Sequence, residues 1–120
     1  MKNVILIKHP KNWGLDEKEV LEKAKEALKY FKLRENVELS VIFVGRKKAK
    51  ELNIKYRQKE YIPQVLGFPM SKSADSDGYI RLGDVVICTQ KLKYEMVFLK
   101  KKRSEILTEW MIHGVENLLK

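Results

Sequence analysis

Apolar residues recur at two different periods along this chain, and the changes from one period to the other mark its elements. Val4 to Ile7 is a short run of β-branched and apolar residues, read as a strand over residues 3–7. Asp16, with Glu19 three residues later, forms a capping-box pattern. Beyond it Val20, Leu21, Ala24, Ala27, Leu28 and Phe31 recur at spacings of three and four, which predicts an amphipathic helix to about Leu33. Residues 37–44 are rich in β-branched side chains and predict a second strand, broken by Gly45. Ala49, Leu52 and Tyr56 then restore helical spacing over residues 46–58, with basic residues on the outside.

Val65 to Phe68, closed by Pro69, predicts a third strand that is an edge or ends there. Ser71 to Gly78 is small and polar and reads as a loop. Val85 to Cys88 predicts a fourth strand, apolar enough to be covered on both faces. Helical patterns follow at about 89–99 and 103–119. The order βαβαββαα predicts an α/β (α+β) fold, a four-stranded mixed sheet packed by helices. A length of 120 residues supports one core, so residues 1–120 are expected to form a single compact domain.

Composition narrows the class. With 44% hydrophobic and 34% charged residues the chain reads as soluble and globular. Its early apolar run is too short for a signal peptide or a membrane span, and its one cysteine, Cys88, fits a reducing compartment. The expected location is the cytoplasm. Cys88 itself reads as plain core. The net charge of +9 favours a polyanionic partner. That charge is clustered: Arg46, Lys47, Lys48, Lys50, Lys55, Arg57 and Lys59 are opposed only by Glu51, and Lys100, Lys101, Lys102 and Arg103 form a second group. Two readings stay open, a phosphate-binding track and a pair of solvated faces, and lysine excess also accompanies thermophily.

The last helical segment carries the sharpest chemistry. His113 and Asn117 stand four apart, on one helix face, a spacing at which helices commonly present metal ligands. Glu109 and Glu116 flank His113, and an acid three residues from a histidine is a second metal-ligand spacing. Gly114 would admit a close neighbour, either backbone or substrate. The alternative is a histidine that hydrogen-bonds a neighbour at the edge of the core.

Three blocks carry a family resemblance. The first is Glu51-Leu52-Asn53, Tyr56-Arg57, Lys59-Glu60 and Val65-Leu66-Gly67-Phe68-Pro69; the second is Leu82-Gly83-Asp84-Val85-Val86-Ile87; the third is His113-Gly114 with Leu118. In this order and spacing, residues 38–119 resemble the YbeY family of rRNA-maturation endoribonucleases, whose last motif reads H-G-x-x-H-L-x-G-Y-D-H. The resemblance implies a compact α/β domain binding one zinc through three histidines. It implies cleavage of single-stranded RNA, in 16S rRNA 3′-end processing and ribosome quality control. The implied partners are rRNA and the ribosome or its small subunit, with no membrane and no small-molecule cofactor. His113 would be the first zinc ligand, and Arg57 matches the family's functionally important arginine. A metal-bound water can attack phosphorus or act as a base near neutral pH. A planar guanidinium suits the oxygens on which charge builds. Asp84 reads as structural, capping the turn into its strand or orienting a neighbour.

The chain departs from the family pattern at the metal motif. Asn117 stands where the second histidine is expected, and a third would lie beyond Lys120. Asparagine offers zinc a neutral oxygen, a poor substitute for imidazole. Glu116 and His9 are the remaining candidates to assist. Ile62, Pro63 and Gln64 replace the family's proline and threonine pattern, and Gly67 replaces its serine. A truncated or divergent member is therefore expected, as an impaired zinc endoribonuclease or as a non-catalytic module that binds RNA or the ribosome. A zinc peptidase is a third reading, weakened because Gly114 stands where such sites carry a glutamate.

Overall fold

A computed structural model of the chain describes residues 3–33 and 36–120. Its elements run β1 (Val4–Lys8), α1 (Glu17–Tyr30), β2 (Val37–Val44), α2 (Arg46–Arg57), β3 (Val65–Pro69), β4 (Ile80–Cys88), α3 (Thr89–Phe98) and α4 (Arg103–Leu119). The strands form one mixed sheet in the order β1-β2-β4-β3, with β1, β2 and β4 parallel and β3 antiparallel to β4. The α/β class, the four strands and the element order follow the expectation from the sequence.

Alternation along β2 divides the two faces of the sheet. Val37, Leu39, Val41 and Phe43 are buried, while Glu38, Ser40, Ile42 and Val44 are half-buried on the other side. The buried set joins Val85 and Ile87 of β4, Ala24 and Leu28 of α1, and Leu107, Trp110 and Met111 of α4 in one core. Each fully buried Leu or Ile side chain there contributes about 1.5–3 kcal/mol. Helix α2 lies against the opposite face through Ala49 and Asn53, both buried.

Asp16 caps α1 as expected, its carboxylate accepting from the Lys18 N–H at 3.0 Å. The capping box is not closed. Glu19 instead accepts from Arg103 Nε at 2.6 Å, which ties α1 to the start of α4. The helix also stops at Tyr30, short of the expected Leu33. Lys32 adopts a left-handed conformation (φ 63°), its N–H reaches the Lys29 carbonyl at 2.9 Å, and the Leu33 N–H reaches Leu28 at 2.8 Å. This pair of bonds closes a helix as a Schellman turn, which the apolar spacing of Phe31 and Leu33 does not reveal.

The larger difference is in β4, which begins at Ile80 and not at Val85. Leu82, Gly83 and Asp84, expected at a turn, lie inside the strand. The pairing with β2 shifts between Glu38 and Leu39, so that Glu38 faces Arg81 and Leu39 faces Gly83. One extra residue is thereby accommodated as a bulge. Gly83 sits at φ 132°, and a β-carbon there would collide with the Phe68 carbonyl oxygen on β3. Asp84 therefore caps nothing. It pairs with Ser40 and Phe68 in the sheet and projects on the α2 side.

Arg81 fastens the loop that precedes β4. It donates to Asp77 at 2.7 and 3.0 Å and to Asp75 at 2.9 Å, and lies 3.4 Å from Glu38. Hydrogen bonds from Arg81 and from the Tyr79 N–H hold the Asp77 carboxyl at about 2, below its ordinary 3.8.

Two outcomes are expected. Gly83→Ala should lose about 3 kcal/mol or more of folding stability in urea denaturation, from strained φ and the backbone collision together; an unchanged midpoint would show that the strands tolerate a side chain there. The Asp77 contribution is full above about pH 4 and is lost as pH falls towards 2, because its folded value lies below the unfolded one. NMR titration of the carboxyl should give a midpoint near 2, moving up towards the ordinary value in Arg81→Gln.

Candidate functional site

Helix α2 presents Arg57 in its last turn, and the side chain is held in place. Asn53, one turn earlier and fully buried, accepts from Arg57 Nη1 at 3.1 Å. The Asn53 amide donates to the Tyr61 carbonyl at 2.9 Å, so the same residue ties the helix to the loop that follows. Arg57 Nη1 also donates to the Tyr61 hydroxyl at 2.9 Å. Both protons of Nη1 are thus committed, and Nη2 and Nε remain for a ligand. Gln58 makes this geometry possible by taking a left-handed conformation (φ 56°) that turns the chain back towards Asn53.

Arg57 lines an open pocket of about 270 Å³ with Tyr61, Pro63, Gln64 and Lys91. Two cations at the rim of one small cavity suit an anion. Behind it, Gln64 Nε2 donates to Glu95, a buried carboxylate that also accepts from Lys101 Nζ at 3.1 Å. The hydrogen bond to Glu95 raises the Lys101 ammonium above its ordinary value. Lys101 is therefore committed to Glu95, and Arg103 is committed to Glu19. Lys100 and Lys102 are exposed. Of the first cluster, Arg46, Lys47, Lys48, Lys50 and Lys55 are exposed on α2, and Lys59 is exposed just beyond it.

The α2 face of the sheet carries a second, larger depression of about 560 Å³. Ile42, Val86, Leu52, Tyr56 and Phe68 supply its apolar walls, and Lys48 and Asp84 its charges. Asp84 makes no hydrogen bond or ion pair through its side chain among the described residues.

His113 lies elsewhere. It is exposed on α4, whose neighbouring Gly114 rests against Val85 so closely that a β-carbon would fall 2.5 Å from a Val85 methyl. Gly114 thus seats the helix on the sheet and opens no path to a substrate. Val85 belongs to the α1/α4 face, whereas Arg57 stands on the α2 side, and its pocket includes no residue of α4. Asn117 is half-buried beside Gly67, where an added β-carbon would come within 2.8 Å of the Asn117 Cβ.

The residues present do not fit a zinc ion. Glu109 and Glu116 are exposed. His9 is held far along the chain from α4, stacked on Trp13 at 3.9 Å with Nε2 3.3 Å from Glu17. Among the described residues no three His, Cys, Asp or Glu side chains come together as a metal site. His113 is left with Asn117, and a neutral amide does not complete a tetrahedral zinc site. Cys88 is buried in the sheet, as its apolar context indicates.

Reading the sequence missed the roles of Asn53, Tyr61 and Lys91. A signal existed for Asn53, which stands one helical turn before Arg57, but not for Tyr61, which lies beyond the end of α2. Lys91 had none, because only the fold brings α3 to the end of α2.

Comparison with known proteins is consistent with these blocks. The sequence profile of endoribonuclease YbeY matches residues 7–119. The chain is similar to endoribonuclease YbeY of Thermodesulfovibrio yellowstonii, 37% identical over 81 residues, which cover 68% of this chain and 50% of that protein. It is also similar to the Aquifex aeolicus protein of that name, 37% identical over 84 residues covering 70% and 55%, and to that of Mesoplasma florum, 30% over 94 residues covering 76% and 56%. The chain thus spans about half the length of these relatives. The solution structure of TM1509 from Thermotoga maritima shares the fold, with a TM-score of 0.62 at 24% identity over 98% of this chain and 73% of that one.

Asn53→Ala is expected to cost about 1–3 kcal/mol, because the Tyr61 carbonyl and Arg57 lose a buried partner. Tyr61→Phe, at an exposed hydroxyl, should cost less than about 1.5 kcal/mol. Chemical denaturation of both variants checks the order, and equal costs would show that Asn53 is not the anchor.

Proposed function

The chain belongs to the endoribonuclease YbeY family, and on that premise we propose that it binds single-stranded RNA with Arg57 as the phosphate anchor. The RNA class that the family points to is rRNA, at the 3′ end of 16S rRNA on the small ribosomal subunit, in the cytoplasm. The carrying observation is the fixed guanidinium of Arg57, with Nη1 committed to Asn53 and Tyr61 and the remaining donors beside Lys91. A guanidinium held before its ligand arrives loses little freedom on binding, and its planar fork matches two phosphate oxygens. The exposed lysines of α2 add an attraction that depends on salt and not on sequence.

Hydrolysis through a zinc-bound water is impaired in this reading, since Asn117 offers a neutral amide where the family pattern has its second histidine. Arg57 would still hold the phosphate on which charge develops in a cleavage step.

The test measures RNA binding and cleavage together, on a single-stranded oligonucleotide, with added zinc and with chelator. Binding is expected to weaken about tenfold in Arg57→Ala, a loss in the range of one charge-assisted contact. It should fall steeply with salt and stay unchanged in His113→Ala or with chelator. Zinc-dependent cleavage that disappears in His113→Ala would overturn the impaired reading and make the chain an active endoribonuclease. Binding indifferent to Arg57→Ala would overturn the anchor.

A further inference from the structure

The groove between α2 and the sheet is not explained by phosphate binding. Its walls are apolar, and Tyr56 stands more than half exposed (54%) at its mouth with its ring 5.1 Å from that of Phe68, at 70°. Two aromatic rings at a steep angle make a corner into which a flat, aromatic ligand fits, its face on one ring and its edge towards the other. The Lys55 ammonium lies 5.2 Å from the centre of the Tyr56 ring, and Lys48 lines the groove itself. Asp84 is also in the lining, a carboxylate with no partner among the described residues.

We propose that this groove takes a nucleobase of single-stranded RNA, stacked in the Tyr56–Phe68 corner, with Lys48 and Lys55 meeting the flanking phosphates. The inference rests on the RNA-binding reading above and adds a subsite to it. Charge selects this occupant: the groove's rim belongs to a helix carrying Arg46, Lys47, Lys48, Lys50, Lys55 and Arg57, in a chain of net charge +9. Unstacked bases of single strands are held in this way, by aromatic faces with lysines along the backbone, at about 1–3 kcal/mol per stacked base. Tyr56 and Arg57 are consecutive on α2, so the base subsite and the phosphate anchor flank the same helix end. One strand passing that end can engage both.

Asp84 gives the subsite a preference. A carboxylate only accepts hydrogen bonds, so it favours base edges that present an amino group: adenine, cytosine or guanine. Uracil offers a single N–H flanked by two carbonyl oxygens, which repel the carboxylate. Uridine tracts should bind more weakly than adenosine tracts for this reason as well as for their weaker stacking.

Fluorescence anisotropy with end-labelled octamers of adenosine and of uridine tests the proposal on the full chain. Tyr56→Ala should weaken binding of the adenosine octamer about tenfold with the salt dependence unchanged, because a stack is lost and no phosphate contact. Tyr56→Trp should restore it. Asp84→Asn should narrow the adenosine-over-uridine difference. Binding by the wild type that is sensitive to Arg57→Ala but indifferent to Tyr56→Ala would overturn the groove subsite and leave the RNA-binding reading standing. An adenosine-over-uridine ratio unchanged in Asp84→Asn would overturn the role of Asp84. No RNA binding by the wild type would overturn both readings.

Discussion

Strands β3 and β4 approach each other at Gly83 more closely than any residue with a β-carbon would allow, and both faces of the sheet are arranged around that contact. The bulge that holds Gly83 absorbs one extra residue, so the strand resumes with Asp84 and Val86 on the α2 face and Val85 and Ile87 in the core. Without the shift, the alternation of β4 would slip by one and exchange those faces. Asp84 would then enter an apolar core, and Val85 would leave the place where Gly114 seats α4. A single backbone conformation thus fixes both what lies under α4 and what lines the groove.

The sheet separates two chemistries that the sequence motifs place in one pattern. On one side, α1 and α4 bury an apolar core and carry His113 outward. On the other, α2 leaves part of the sheet uncovered and brings Arg57, Tyr56 and the lysines to its margin. The charges there differ in freedom. Arg57 is positioned by two neutral partners that leave its charge uncompensated, whereas Lys101 and Arg103 are neutralised by Glu95 and Glu19. A count of basic residues treats all of these alike, but only an uncompensated cation attracts a phosphate strongly.

Much of this was legible in the sequence. Helical apolar spacing located the helices, and runs of β-branched or apolar residues located the strands, so all eight elements were found. The errors came where hydrogen bonding, not burial, decides a boundary: the Schellman turn at Lys32 and the early start of β4 at Ile80. Asp84 reads as the cap of a turn into a strand at Val85, because a bulge at Gly83 leaves little trace in sequence. The family blocks single out Arg57, while the role of Asn53 in the same block depends on a burial that only the fold supplies. The basic tetrad at 100–103 was read as one surface because its acidic partners lie 6 and 84 residues away in the chain.

Gly67 and Asn117 stand fifty residues apart in sequence, and both depart from the pattern of the family. In the fold they touch: the space a β-carbon would need on Gly67 is taken by the Cβ of Asn117 and, at 3.1 Å, by the carbonyl of Gly114. A serine at 67 would hold α4 farther from β3. Replacing Asn117 by histidine on the present background would therefore set that imidazole at a different height above the sheet than in a relative carrying the serine. The two positions share one contact, so a side chain added at 67 or enlarged at 117 bears on how α4 is seated against β3.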